Sequence, residues 1–202
     1  MLFENNNIIF LHIPKTGGNS IQDALRNYSQ DKIVVRNSWQ DGFERFSVES
    51  EKYEKLTKHS NLNDYFGALG DNFFKYRVFT VIRNPFDRLV SFYFSPHRGK
   101  VDFNASDFEA FIIKIPSLEG HICIKRATNK TPELYKNITF MRFENLRSDF
   151  AKLCTELGIK KIDLPHRNRS NRPDYRECYN TNLRKWVEKT HKLEFSIGRY
   201  RF

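Results

Sequence analysis

Two stretches of the chain contain residue types that bind phosphate, and the first is HIPKTGGNS at residues 12–20. It joins an apolar run to a helical pattern and contains a lysine, two hydroxyls, an amide and two glycines. Backbone N–H groups at a helix start have no intrahelical partner, and the helix dipole attracts an anion there. Gly17 and Gly18 would let the backbone approach that anion closely. The stretch predicts an anion-binding turn, whereas a Gly-Gly pair alone would be equally typical of an ordinary capped strand–helix turn.

The second stretch is VFTVIRNPFDRLVSFYF at residues 78–94. Arg83 follows an apolar run, and Ser91 comes eight residues later on a predicted helix, roughly 12 Å further along its axis at 1.5 Å per residue. A guanidinium can hold a phosphate through two parallel N–H bonds, and a serine can donate one more. The helix must lie across the ligand for both to reach one phosphate. The alternative is a capped helix whose arginines pair with Asp87 or solvent.

The elements that must position these residues alternate between strand and helix. Apolar runs typical of buried strands lie at 7–13, 77–82 and 138–143. Helical patterns follow at 19–28, 85–95 and about Phe150 to Gly158, with a further strand possible at 32–36 and helices at 61–69 and 181–197. Ser106 and Glu109 have the spacing of a capping box before a helix that ends at Pro116. We therefore predict an α/β fold with a mostly parallel central sheet flanked by helices.

Composition limits the possible classes of protein. The 202 residues, 39% of them hydrophobic, suit one well-buried domain spanning 1–202. No apolar stretch is long enough to cross a membrane, and no signal peptide is recognisable. Three widely spaced cysteines favour free thiols in a reducing compartment. A formal net charge of +10 suits an anionic partner, although a basic surface alone would explain it equally well.

The two phosphate-binding stretches together resemble those of the sulfotransferases that use 3′-phosphoadenosine 5′-phosphosulfate (PAPS), especially the heparan/chondroitin-type carbohydrate branch. The resemblance continues through MRFENLRSDFAKLCTELGI at 141–159 and LPHRNRSNRPDYRECY at 164–179 to the terminal GRYRF. It covers nearly the whole chain and is weakest at 28–58 and 97–135. It implies a P-loop-like sulfotransferase fold and transfer of a sulfuryl group from PAPS to a hydroxyl, without a metal ion.

The resemblance also implies a role for individual residues of both stretches. Lys15 would contact the 5′-phosphosulfate and steady the bridging oxygen as its bond to sulfur breaks. Arg83 and Ser91 would hold the 3′-phosphate. Arg169 and Ser170, in a segment that resembles a loop folding over the donor, would add contacts, or would belong to a solvated surface loop. The residues that would surround the 5′-phosphate are Thr16, Gly17, Gly18, Asn19 and Ser20.

A base is needed because the acceptor hydroxyl must lose its proton. His59, in TKHSNLNDYFGAL at 57–69, lies where the related carbohydrate sulfotransferases carry their catalytic histidine, so the resemblance implies that it is the base. Its ordinary pKa near neutrality suits that role, although a histidine in a loop is often only a surface residue. Glu54 and Glu144 are the alternatives if the base is a glutamate, and Glu144 is better explained as a brace of the site.

Three other functions fit parts of the sequence. A P-loop kinase or NTPase would need the Walker A order GxxxxGK[ST], but here the lysine precedes the glycines. A non-catalytic nucleotide- or nucleic-acid-binding module would fit the charge, but no recognition motif accompanies it. A degenerate sulfotransferase that binds nucleotide without catalysis would be expected to have lost Lys15, His59, Arg83 or Ser91, and the sequence retains all four.

The sequence does not identify the acceptor, which the resemblance implies is a saccharide. Regions 28–58 and 97–135 are predicted to shape its cleft. Without the membrane anchor of Golgi relatives, the chain is expected to be a cytoplasmic bacterial or viral protein, or an excised catalytic domain.

Overall fold

A central four-stranded sheet organises the fold. The computed structural model describes residues 1–29, 56–95, 98–124, 137–160, 162–164 and 172–202, together with the backbone of 32–39 and 43–49. The sheet has the order β1-β2-β5-β6. Strand β1 pairs with β2 in antiparallel orientation, whereas β2 with β5 and β5 with β6 are parallel. The strands are β1 (Leu2–Phe3), β2 (Ile8–Leu11), β5 (Arg77–Ile82) and β6 (Ile138–Arg142).

Helices follow each of the three parallel strands and flank the sheet. In chain order the α-helices of the described residues are α1 (Gly18–Leu25), α2 (Leu62–Leu69), α3 (Pro85–Tyr93), α4 (Ala105–Ile112), α5 (Leu118–Ile122), α6 (Leu146–Glu156), α7 (Thr181–Thr190) and α8 (Lys192–Gly198). Since parallel strands end at the same edge of a sheet, the turns that lead into α1, α3 and α6 lie next to one another, where α/β proteins bind ligands. The predicted α/β class with a mostly parallel sheet flanked by helices is confirmed.

The central strands are buried on both faces, which explains their almost continuous apolar sequence. Along β2, Ile9 and Leu11 pack into one hydrophobic cluster with Val78 of β5. The alternate residue Phe10 points to the opposite face, where it packs with Phe79. Successive strand side chains point to opposite faces, so each strand contributes to two cores.

An antiparallel hairpin forms a second, separate sheet. Its strands are β3 (Lys32–Trp39) and β4 (Phe43–Glu49), paired with a register shift between Val35 and Asn37. The sequence predicted only the part of β3 at 32–36 and missed β4. The polar alternation of these residues lacks the continuous apolar pattern that marked the central strands, so periodicity gave little signal there.

Two helix boundaries differ from their prediction. The predicted helix at 181–197 is two helices, because the chain turns at His191, whose N–H donates to the Val187 oxygen at 2.8 Å. The cap of α4 is Asn104, whose Oδ1 accepts from the Asp107 N–H at 2.9 Å, and not Ser106. Asn and Ser both cap helices well, so the sequence alone did not decide between two neighbouring candidates.

None of the helices in the described part of the chain is long and apolar enough to span a membrane.

Candidate active site

The turn between β2 and α1 has the backbone of an anion-binding loop. Two of its residues, Lys15 (φ 69°) and Gly17 (φ 85°), have positive φ. For a lysine this is an uncommon conformation that the surroundings must hold in place. The Thr16 hydroxyl donates to the Ile13 carbonyl oxygen at 2.8 Å and so fixes the turn from inside. The sequence predicted that Thr16 contacts the phosphate. In the structure its hydroxyl proton is used in the hydrogen bond to Ile13.

Both glycines of the turn are required by close neighbours. A Cβ on Gly18 would lie 2.0 Å from Cδ2 of His12, whose ring covers the start of α1. A Cβ on Gly17 would lie 2.9 Å from the side chain of Leu146, and the positive φ of Gly17 disfavours any side chain there. The glycines therefore serve the packing of the loop as well as the access of a ligand.

We expect the substitution Gly18→Ala to lower the free energy of unfolding by about 1–3 kcal/mol, because the buried His12 ring must move. The matched control is Gly67→Ala in α2, where a Cβ would enter open space. This substitution should raise the free energy of unfolding by up to about 1 kcal/mol, because alanine has the higher helix propensity. Urea unfolding of both variants tests this. Equal stability of Gly18→Ala and wild type would show that the contact with His12 does not constrain position 18.

Arg83 joins the two phosphate-binding stretches. It lies at the end of β5, is 8% exposed, and donates from Nη1 to the Lys15 carbonyl oxygen at 2.9 Å. Its Nε donates to Asp87 Oδ2 at 2.8 Å, and its guanidinium lies 4.1 Å above the Phe143 ring. Two stretches far apart in sequence are thus joined, and the pairing of Arg83 with Asp87, which was the alternative to phosphate binding, is also present.

The ammonium of Lys15 points toward the end of α3. Its Nζ donates to the Ser95 hydroxyl at 3.3 Å. Ser95 is buried and comes four residues after Ser91, which is buried on α3 itself. Lys15 and the end of α3 that contains Ser91 therefore belong to one region of the protein. The sequence analysis did not identify Ser95, although its spacing of one helical turn from Ser91 was a usable signal.

His59 lies against the first stretch, although it comes 47 residues after His12 in the sequence. Its Nδ1 is 3.2 Å from the His12 carbonyl oxygen, and the two imidazole rings are 4.5 Å apart. A carbonyl oxygen only accepts, so Nδ1 of His59 carries the proton in this hydrogen bond and Nε2 keeps its lone pair. His59 is exposed. It therefore combines the tautomer and the access that a general base needs.

His12 stays neutral beneath this site. Burial lowers the pKa of His12 well below its usual range, and the neighbouring His59 and Lys58 lower it further. The Nδ1 of His12 donates to Gln22 Oε1 at 2.8 Å, which fixes its ring against α1. His12 therefore braces the turn against α1.

The remaining predicted residues fall into two groups. Glu144 accepts from the backbone N–H of Asn84 at 3.0 Å and from the Tyr200 hydroxyl at 2.9 Å, which makes it a brace between β5 and the C-terminus. Arg169, Ser170 and Glu54 lie outside the described residues. Arg172, which follows them, forms an ion pair with Asp87 beside Arg83. The sequence analysis missed Arg172, although it belongs to the same basic segment.

The fold and the site define an α/β protein with an anion-binding strand–helix turn, a buried arginine joined to that turn, and an accessible histidine beside it. A family model described as the sulfotransferase family matches residues 1–195. The chain therefore belongs to the sulfotransferase family, as the sequence predicted.

Comparison with solved structures gives a match to a sulfotransferase from Alicyclobacillus acidocaldarius. The two chains are 15% identical, the match covers 97% of this chain and 96% of that chain, and the TM-score is 0.44. A comparison with curated proteins found no match.

Proposed function

We propose that this protein transfers the sulfuryl group of PAPS to a hydroxyl of a carbohydrate by in-line displacement. The observation that carries the proposal is the hydrogen bond from Arg83 to the Lys15 carbonyl oxygen at 2.9 Å. Because of this bond, the two stretches proposed to bind phosphate are neighbours. A nucleotide with phosphates at both its 3′ and 5′ positions would need two such stretches close together. Membership of the sulfotransferase family favours this reaction over phosphoryl transfer by a P-loop kinase or NTPase.

The donor would lie along the edge of the sheet. The start of α1 and Lys15 would hold its 5′-phosphosulfate, with Asn19 and Ser20 as further donors. Arg83 and Ser91 would hold the 3′-phosphate. A guanidinium has five N–H donors, so Arg83 can keep its bonds to Lys15 and Asp87 and still present donors to a phosphate.

The proposed transfer uses His59 as the base. The acceptor oxygen attacks sulfur while its proton passes to Nε2 of His59. The bond between sulfur and the bridging oxygen breaks, and its electron pair stays on the 5′-phosphate, which gains one negative charge. Lys15 lies on the loop where that charge grows, so its ammonium stabilises the leaving group. Catalysis of this kind depends on positioning and electrostatics, as in phosphoryl transfer.

A carbohydrate acceptor is favoured by charge and by the sequence resemblance. The net charge of +10 would attract an anionic saccharide as well as the donor. The regions proposed to shape the acceptor cleft are 28–58 and 97–135, and the hairpin of β3 and β4 lies within the first.

Calorimetry tests the donor first. We expect adenosine 3′,5′-bisphosphate, the product of PAPS, to bind more tightly than AMP or ATP. An acceptor screen with labelled PAPS then tests transfer to saccharides. Magnesium-dependent turnover of ATP, or equal affinity for all three nucleotides, would contradict the proposal and support a kinase or a non-catalytic basic module.

We expect Arg83→Ala to weaken adenosine 3′,5′-bisphosphate binding by about 10–100-fold, because hydrogen bonds between charged groups are strong. Binding of AMP, which lacks the 3′-phosphate, should change by less than about threefold. Arg77→Ala is the matched control, since Arg77 lies at the other end of β5 and pairs with Glu156 at the surface. Equal losses for both nucleotides in the Arg83 variant would contradict its assignment to the 3′-phosphate.

A further inference from the structure

A second lysine lies at the phosphosulfate-binding turn. The Nζ of Lys58 donates to Asn19 Oδ1 at 3.4 Å, and Asn19 is in the first turn of α1. The next residue is His59, which is bonded to the His12 carbonyl oxygen. Residues 58 and 59 therefore both contact the 12–20 stretch. The sequence analysis identified only the histidine of this pair.

The two lysines of the site are held by different elements. Lys15 belongs to the turn itself, and its ammonium lies beside Ser95 at the end of α3. Lys58 reaches the same turn from the segment before α2, and its ammonium lies beside Asn19. Lys58 is half-buried, so its ammonium is less well screened by water than a fully exposed one.

We propose that Lys58 is a second cation of the transfer site that binds the phosphosulfate end of the donor and stabilises the charge that develops there. The inference rests on the proposed function, in which the 5′-phosphate gains a negative charge as the S–O bond breaks. One ammonium at the bridging oxygen and a second at the start of α1 would oppose that charge from two elements. Because Lys58 directly precedes His59, the proposed second cation and the proposed base belong to the same segment before α2.

A purely structural role would be to hold Asn19 and the 57–60 segment in place. The two roles differ in their dependence on the 5′-phosphate. If Lys58 contacts the donor, its substitution weakens binding only of nucleotides that carry the 5′-phosphate. If its role is structural, its substitution weakens binding of all nucleotides equally. Adenosine 3′,5′-bisphosphate and adenosine 3′-monophosphate, which differ only at the 5′ position, separate them.

The experiment measures calorimetric affinity for both nucleotides, and kcat for PAPS, in Lys58→Gln, Lys58→Arg and wild type. We expect Lys58→Gln to weaken the bisphosphate about tenfold, to leave the 3′-monophosphate within about twofold, and to lower kcat by about 10–100-fold. Lys58→Arg keeps the positive charge and should restore most of the bisphosphate affinity and most of kcat. The matched control is Lys75→Gln, which removes an exposed lysine that donates to Asn72 Oδ1 at 2.8 Å and should leave every value unchanged.

The outcomes distinguish this inference from the proposed function. Wild-type affinity for Lys58→Gln, or equal losses for both nucleotides, would overturn the inference while bisphosphate binding by wild type still supports the proposed function. If wild type does not bind the bisphosphate, the proposed function fails and the inference with it. Thermal unfolding of each variant identifies a folding defect, and Lys58→Arg then provides the test in a folded protein.

Discussion

The substitution His59→Ala is expected to lower kcat by about 10²–10⁴-fold, the range that a general base contributes. Affinity for adenosine 3′,5′-bisphosphate should stay within about twofold, because the proposed function assigns the acceptor proton to His59 and the nucleotide contacts to other residues. Stability should also be preserved, since the side chain is exposed. Single-turnover kinetics with labelled PAPS, combined with calorimetry, measures the two effects separately.

The control for this prediction is His59→Gln, which retains a polar side chain of similar reach but has no basic nitrogen. It should be as inactive as the alanine variant if proton transfer is the function of His59. Near-normal turnover in either variant would contradict the assignment. Glu144, the alternative candidate for the base, is less suitable, because its two carboxylate oxygens already accept hydrogen bonds from the Asn84 N–H and the Tyr200 hydroxyl.

The substitution Glu194→Ala is expected to lower the free energy of unfolding by about 3–5 kcal/mol, because it leaves the charge of Arg88 buried without its carboxylate. Arg88 and Glu194 are 2% and 3% exposed, and their closest charged atoms are 3.8 Å apart. Glu194 Oε1 also accepts from the Leu118 N–H at 2.7 Å and from His191 Nδ1 at 3.0 Å. For a chain of this size the melting temperature should fall by about 6–20 °C.

Glu188→Ala is the matched control for the buried pair. Glu188 pairs with Arg184 at 3.0 Å within α7, the helix before the one that contains Glu194. Both side chains of this pair are more than 40% exposed. Its loss should cost less than about 1 kcal/mol. Similar melting temperatures for the two variants would show that burial does not decide the strength of these pairs. Arg88 lies on α3 between Arg83 and Ser91, so Glu194→Ala is also expected to weaken nucleotide binding.

Local patterns in the sequence predicted the three parallel strands of the central sheet because each of them has a strong signal of its own, whereas the two-residue strand β1 was missed. The apolar runs at 7–13, 77–82 and 138–143 contain the observed β2, β5 and β6. Asn84, directly before the predicted helix at 85–95, caps α3, with its Oδ1 accepting from the Phe86 N–H at 3.1 Å. The hairpin strand β4 and the break at His191 were missed, since β4 has no continuous apolar run and no glycine or proline occurs at 188–194 to mark the end of a helix.

The site was predicted in part, and its residue roles stay predictions. Lys15, Arg83 and His59 could be selected because they belong to recognisable strings. Lys58 and Ser95 were not selected, because Lys58 stands beside the more conspicuous His59 and the spacing of Ser95 from Ser91 was overlooked. They were identified only by what their side chains contact, which are Asn19 and Lys15.

The amino-acid sequence by itself determined the family, the order of the central strands and helices, and the types of residue available for binding anions. These depend on interactions between near neighbours in the chain, such as helix caps, apolar periodicity and glycine turns. Only the tertiary structure decided that Arg83 bonds to the Lys15 carbonyl and that His59 rests on His12. Those contacts depend on how parallel strands bring their ends to one edge of a sheet, and no local pattern encodes the distances between side chains that meet there.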